Sequence, residues 1–300
     1  MKEGLVVRTS ATGESQNGIR IGFVGAGKVG FSMGKFFALG GLNVSGYFSR
    51  NVRSAREAAD FTGSSCFESL GELVAASDAV FITVPDGAIT RVYDQLCAYD
   101  LTGKQICHCS GSLSAAEAFP TLAEKGATGY SVHPLFPVSS KQHSYTELPK
   151  AYFCIEGSEE HLDEWKRLLS ALGPTVQVIP SQEKKRYHAA CVVAANLVCG
   201  LAQQGMDMLR ACGFSEADAR AALAPLMRAN MDHILEVGPT DALTGPIERN
   251  DVATVAAHLA CFDSPTEREL YRSVSLKLVE MAQRRHPDVD YSPLTRMLND

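Results

Sequence analysis

Between Ile19 and Gly30 the chain reads Ile-Arg-Ile-Gly-Phe-Val-Gly-Ala-Gly-Lys-Val-Gly, and no other stretch of its 300 residues restricts the fold as tightly. Ile19, Ile21, Phe23 and Val24 make a short apolar strand. Gly25, Gly27 and Gly30 place the pattern G-x-G-x-x-G at its end, with Ala26, Lys28 and Val29 between them. Val29, Met33, Phe36 and Phe37 then recur at helical spacing. In a strand–turn–helix of this kind the first glycine permits the bend. The second lets the backbone approach a pyrophosphate, and the third lets helix pack on strand. The helix N-terminus adds oriented N–H groups and a partial positive charge. The flanking strand and helix separate this pattern from a glycine-rich turn that binds nothing. Residues 25–30 are the expected cradle of a dinucleotide.

The second strand identifies which dinucleotide. NAD-binding versions carry Asp or Glu at its end, about 20 residues on, to bond the ribose 2′-OH. Here Leu42–Phe48 runs into Ser49-Arg50-Asn51, and no carboxylate occurs between Glu14 and Glu57. A guanidinium suits a 2′-phosphate through paired, charge-assisted hydrogen bonds. Ser49 and Arg50 are therefore expected at the ribose end, and NADP is expected over NAD. Arg53 or Arg56 is read as solvating the helix that follows.

A net charge of −6 argues against non-specific attraction to nucleic acid or an anionic membrane. The first 17 residues are polar with only a brief Leu5-Val6-Val7 run, too short for a signal-peptide core, and read as a disordered tail. No apolar run reaches the ~18 residues of a membrane span. Nine scattered cysteines form no C-x-x-C pair. Cys107-His108-Cys109 has ligand-like residue types, but adjacent strand residues point to opposite faces. No metal site is expected, and the thiols read as small buried groups of a reducing cytoplasm.

From residue 18 to 180 strands and helices alternate, the pattern of an α/β, doubly wound parallel sheet. The run from Asp78 to Asp86 reads as a central strand buried on both faces. Gln105–Cys109 is another strand, Ser114-Ala-Ala-Glu117 a capping box, and Gly129–His133 a strand stopped by Pro134. Tyr152–Ile155, a helix over 159–172 and Thr175–Ile179 complete the sheet. From 181 to 300 the pattern is all-helical. One long helix is expected over 184–212, so apolar through Cys191–Leu201 that it must be covered nearly all round. A second subunit is the expected cover.

In an open parallel sheet, ligands sit beyond the carboxyl ends of the strands. Val84-Pro85-Asp86, Ser110-Gly111-Ser112 and His133-Pro134 should converge there. Val84 and Pro85 are expected along the nicotinamide side. Asp86 either joins them or caps the next helix. Ser110 and Ser112 bond a substrate carboxylate or amide, or else bond the turn's own backbone. His133 polarises a carbonyl or donates a proton, or is satisfied by backbone. Hydride reduction of a carbonyl leaves an alkoxide, which needs a proton donor or cation beside it. Lys184 and His188 lie at i, i+4 on the long helix. Asn196 is about 80° round from His188 on an unbroken helix. Asn196 either orients a substrate or bonds a neighbouring helix, and Lys184 is either a site cation or a solvated charge. Arg249, in Thr244–Asp251, either reaches an anionic substrate or pairs at the surface. Asn250 or Asp251 caps the next helix.

These motifs together resemble the Rossmann-like proteins that carry a C-terminal domain of unknown function, DUF2520. Those proteins are relatives of pyrroline-5-carboxylate reductase, ketopantoate reductase and the 6-phosphogluconate dehydrogenase-like enzymes. The resemblance covers about residues 18–290. It rests on Gly25–Gly30, Val84-Pro85-Asp86, Ser110-Gly111-Ser112, His133-Pro134-Leu135, Lys184–His188, Asn196 and Thr244–Asp251. It implies a 6-phosphogluconate dehydrogenase-like helical domain that pairs two copies, an NADP cofactor and a small anionic substrate. Family members carry glycine where Asn250 stands, and asparagine tolerates the left-handed backbone that glycine would supply. Hydroxyacid dehydrogenases carry asparagine four residues after the lysine. His188 stands there in this chain, so their catalytic pair does not carry over directly. The activity implied is NADPH-dependent reduction of a carboxylate-bearing carbonyl, with a 2-oxo acid such as ketopantoate first. Reduction of a cyclic imine and a non-catalytic nucleotide sensor or scaffold are the alternatives. His188 is the expected proton donor, Lys184 the stabilising cation and Asn196 the orienting amide, with Ser110 and His133 on the sheet side.

Overall fold

The structure, a computed structural model, describes residues 18–300. The tail expected over 1–17 lies outside the described residues. Two compact units divide at Val192/Val193, so the first 12 residues of the stretch read from sequence as helical domain fold with the sheet.

The first unit is one eight-stranded sheet in the order β3-β2-β1-β4-β5-β6-β7-β8. Its strands are β1 (Arg20–Val24), β2 (Asn43–Phe48), β3 (Ser65–Cys66), β4 (Ala79–Ile82), β5 (Gln105–His108), β6 (Thr128–Leu135), β7 (Tyr152–Gly157) and β8 (Thr175–Val178). The helices are α1 (Lys28–Leu39), α2 (Val52–Thr62), α3 (Leu70–Ala76), α4 (Asp86–Leu96), α5 (Ala115–Ala118), α6 (Leu162–Ala171) and α7 (Lys184–Ala194). Local chemistry fixes their ends. The Asn51 side chain accepts from Arg53 N and Ser54 N to start α2, and Gly63 closes it in the left-handed region at φ +73°. Capping boxes Ser69/Glu72 and Ser114/Glu117 start α3 and α5.

The apolar run at β4 divides by alternation. Ala79 and Phe81 pack into one core layer with Phe23, Phe37, Tyr47 and Trp165. Val80 and Ile82 pack into the other with Leu73, Tyr93 and Phe119. A strand buried on both faces has no room for alternating polar residues. Burial of a side chain such as Phe81 stabilises the sheet by about 2–3 kcal/mol.

The expected stop at Pro134 does not occur. β6 continues to Leu135, where it pairs antiparallel with β7 (His133↔Cys154, Pro134↔Phe153). Its parallel partner β5 ends opposite Ser131. A proline with one free flank costs the ladder little. The sheet is thus parallel from β3 to β6 and reverses direction once, at β7.

The second unit is helical: α8 (Asn196–Ala211), α9 (Glu216–Val237), α10 (Pro239–Ala242), α11 (Val252–Ala260), α12 (Pro265–Arg285) and α13 (Ser292–Asn299). Its core gathers Leu243, Ile247, Val255, Val279, Tyr291, Leu294 and Leu298. Ser215 caps α9 and Asp251 caps α11. Asn250 adopts φ +56° and its amide donates to Asp290 O, so the loop keeps the left-handed residue.

The single long helix expected over 184–212 is interrupted. Ala195, at φ −119° and ψ −66°, separates α7 from α8. The count of 100° per residue therefore fails between His188 and Asn196, and their expected shared sector does not follow. The stretch Ser181–Ala211 is long and apolar enough to cross a membrane by length and composition, and its apolar window is unburied.

Candidate dinucleotide cleft and polar site

The crevice forms at the ends of β1 and β4, where the strand order reverses direction. Gly25 has φ +105°, open only to glycine at low cost, and a Cβ there would lie 3.0 Å from Thr83 O. A Cβ on Gly30 would strike the Thr83 hydroxyl and come within 2.5 Å of Gly25 O. Thr83 Oγ1 itself donates to Gly25 O at 2.9 Å. Gly27 differs: a Cβ there would meet only Thr83 O, at 4.0 Å. Protein packing does not require glycine at 27, whereas a phosphate approaching the backbone does. Gly27 caps α1 without any side-chain bond, which leaves the first-turn amides available to an anion.

The cleft has a volume of about 400 Å³, within the range of small-ligand sites. Gly25, Ala26, Gly27, Ser49, Arg50, Val84 and Pro85 line it. Lys28 is exposed, Val29 half-buried and Gly30 buried, and none of the three lines the cleft. Arg91 and Lys141 also line the cleft and were not anticipated. No carboxylate among the described residues lines it. Lys141 stands 3.9 Å from Glu57, and Arg53 pairs with the same carboxylate, away from the cleft.

Past Pro85 the polar groups are connected. Asp86 begins α4 but caps nothing with its side chain. Its Oδ2 accepts from Ser110 Oγ at 2.7 Å and Ser112 Oγ at 3.0 Å. Ser110 Oγ also accepts from Ser112 N and Leu113 N, so it both holds the turn and reaches Asp86. Ser131 Oγ donates to Ser110 O at 3.2 Å and accepts from Lys184 Nζ at 2.6 Å.

Lys184 is 1% exposed, so it is not a solvated surface charge. Burial lowers its pKa, opposed by the nearby carboxylate of the fully buried Glu156. Glu156 accepts from Ala115 N and Ser181 Oγ, anchoring the approach to α7. His133 is satisfied by a side chain rather than by backbone: its Nδ1 lies 2.7 Å from Tyr187 OH. Burial first, then the Lys184 and His188 charges, push the His133 pKa down to about 4, against the pull of Asp86. His188 is half-buried. A Cβ on Gly111 would lie 2.7 Å from His188 Cδ2 and 2.9 Å from His133 Nε2, so both imidazoles flank this loop.

The Cys107-His108-Cys109 run separates as its alternation requires. His108 packs edge-on against Phe119, and the two thiols lie in the opposite layer. Burial pushes Cys109 up to about 12 and His108 down to about 3. All nine cysteines are free thiols.

Asn196 opens α8 in the second unit and is exposed, so the expected obligation to bond another helix lapses. Arg249 is exposed, while its neighbour Glu248 pairs with His286. The reading from sequence missed Ser131, Glu156, Arg91 and Lys141, and it noted Tyr187 only inside a motif. The one local signal was Tyr187 at i+3 from Lys184; the others meet the site through tertiary contact.

Residues 20–110 match the family described as NADP oxidoreductase, coenzyme F420-dependent. Residues 151–278 match the domain of unknown function DUF2520. The two matches follow one another along the chain, the first over the sheet and the second beginning at its seventh strand. Among solved structures, it is 27% identical to a protein from Thermotoga maritima, with a TM-score of 0.72 over 88% of this chain and 99% of that one. A protein from Bacteroides fragilis described as a putative NADP oxidoreductase is 21% identical, with a TM-score of 0.64 over 88% and 98%. A reductive aminase from Aspergillus terreus, in complex with NADPH and ethyl levulinate, is 17% identical, with a TM-score of 0.61 over 94% and 99%. No curated protein matches the sequence.

Proposed function

We propose that the chain is an NADP-dependent reductase of a small, carboxylate-bearing carbonyl compound, with a 2-oxo acid such as ketopantoate as first substrate. One observation carries the reading. Asp86 and Ser110 join the Pro85 end of a cation-lined cleft to the loop flanked by His133 and His188. The residues present fit the cofactor: Gly25–Gly27 offer backbone to a pyrophosphate, and Arg50 offers a guanidinium to a 2′-phosphate. NADPH, when bound, supplies the hydride. As the carbonyl carbon gains hydride, the C=O π pair moves to oxygen, and His188 delivers the proton that makes the alcohol. Ser110 and Ser112 orient the polar end of the substrate from the sheet side. Lys184 supports this wall through Ser131 instead of touching substrate.

The Aspergillus terreus aminase complex supports a second reading, in which the reduced bond is C=N, as in a cyclic imine. An NADPH-oxidation screen across 2-oxo acids and cyclic imines separates the two. Tight NADPH binding with no turnover on either class would favour a nucleotide sensor instead.

The second unit supports a homodimer. α8 buries none of its residues and α9 buries only Ala219. Leu197, Leu201 and Met208 on α8 and Leu226, Met231 and Leu235 on α9 are exposed. Apolar helix faces of this extent mark an interface, and a second copy covers them in this proposal. Nine free thiols suit a reducing compartment such as the cytoplasm.

A further inference from the structure

Tyr187 has no part in the reductase reading above, yet it is the side chain that holds His133. Its hydroxyl lies 2.7 Å from His133 Nδ1, and the two rings meet edge-on, 5.7 Å apart at 82°. Lys184 Nζ, held on Ser131 Oγ, stands 5.4 Å from the centre of the phenol ring. We infer that Tyr187 is a positioning residue whose O–H donates to His133 Nδ1, fixing that imidazole as the tautomer with its proton on Nε2, the nitrogen facing Gly111.

Three observations converge on this assignment. A phenol is a strong donor and an imidazole nitrogen a strong acceptor. This is the one hydrogen bond of the Tyr187 hydroxyl among the described residues, so the reverse pairing would leave its hydrogen unused. Burial and the Lys184 charge keep His133 neutral, so one ring nitrogen alone carries hydrogen. A Cβ on Gly111 would lie 2.9 Å from Nε2, which places that nitrogen at the loop shared with His188. The catalytic consequence rests on the reductase reading. A neutral N–H aimed at the substrate oxygen polarises the double bond without surrendering its proton, and leaves proton transfer to His188.

The test is nitrogen NMR of the protein labelled at histidine ring nitrogens, with His133 assigned by the signal lost in His133→Gln. The wild type should show the neutral Nε2–H pattern, and Tyr187→Phe should convert it to a mixture containing Nδ1–H. A wild-type Nδ1–H pattern, or an unchanged tautomer in Tyr187→Phe, would overturn the assignment. On a substrate found by the screen, Tyr187→Phe should lower kcat about tenfold to a hundredfold while sparing KM and NADPH affinity. An equal loss of NADPH affinity would mark a merely structural role and overturn it too. The ring signals are read without substrate, so failure of the reductase reading leaves the tautomer result standing.

Discussion

Mild acid should weaken the first unit through two buried imidazoles. His133 and His108 are held neutral, with pKa values pushed from 6.5 to about 4 and about 3 by burial and by the Lys184 charge. Both are depressed, so on acidification the unfolded chain takes up protons first. The stability they contribute is complete above about pH 6.5 and falls as pH drops toward the folded-state values. Between pH 7 and pH 5 each should cost about 2 kcal/mol, out of a typical total of about 5–15 kcal/mol. Ordinary carboxylates stay largely ionised over that interval, so the histidines dominate it. Urea unfolding followed by the fluorescence of Trp165 reads the right unit, because this sole tryptophan is buried against Phe81. With a urea slope of about 2 kcal/mol/M, the midpoint should fall by about 2 M in the wild type and by about 1 M in His133→Gln. Equal midpoints at pH 7 and pH 5, or the same pH slope in His133→Gln as in the wild type, would refute the reasoning.

Arg50→Ala should weaken NADPH by at least tenfold and leave NADH nearly unchanged in fluorescence titrations, since a charge-assisted hydrogen bond is worth about 1.5–3 kcal/mol; an unchanged preference removes Arg50 from the ribose end. His188→Ala should lower turnover by about 10²–10⁴ with NADPH affinity kept, and near-full turnover there with loss in His133→Ala moves the proton donor to the sheet. Gly111→Ala should displace both imidazoles and reduce kcat at unchanged NADPH affinity, whereas full activity would show that the loop yields freely. Light scattering at micromolar concentration should give a dimer mass, and Leu201→Glu with Leu226→Glu should shift it toward monomer; a wild-type monomer contradicts the interface.

The Rossmann-like unit was legible because its signals are local. A strand, three spaced glycines and a helical period lie within 19 consecutive residues, and capping boxes mark helix starts in four. Pro134 misled because the rule that proline ends a strand assumes neighbours on both flanks, and β6 has lost one by then. The helix break at Ala195 carries no composition signal: alanine favours helix, and the irregularity appears only in its dihedral angles. The burial of Lys184 was not legible because Lys185 and Arg186 beside it are exposed, and sequence alone does not show which lysine of a basic run turns inward. The site's contacts, Tyr187 to His133 and Lys184 to Ser131, span more than 50 residues of chain, beyond the reach of any periodicity.

The Thr83 hydroxyl holds the glycine turn from β4, whereas Arg50 projects from the end of β2. In the proposed reading, the shape of the turn and the preference at the ribose end are therefore supported by different strands. Cofactor choice becomes an exchangeable trait: residues 49–53 could be redesigned toward NADH, with an acidic side chain in place of Arg50, while the turn stays intact. Changes at Thr83 would have the opposite reach, loosening the grip on both dinucleotides without altering which one is preferred. On that reading, a change of reductant leaves the contact between Thr83 and the turn in place.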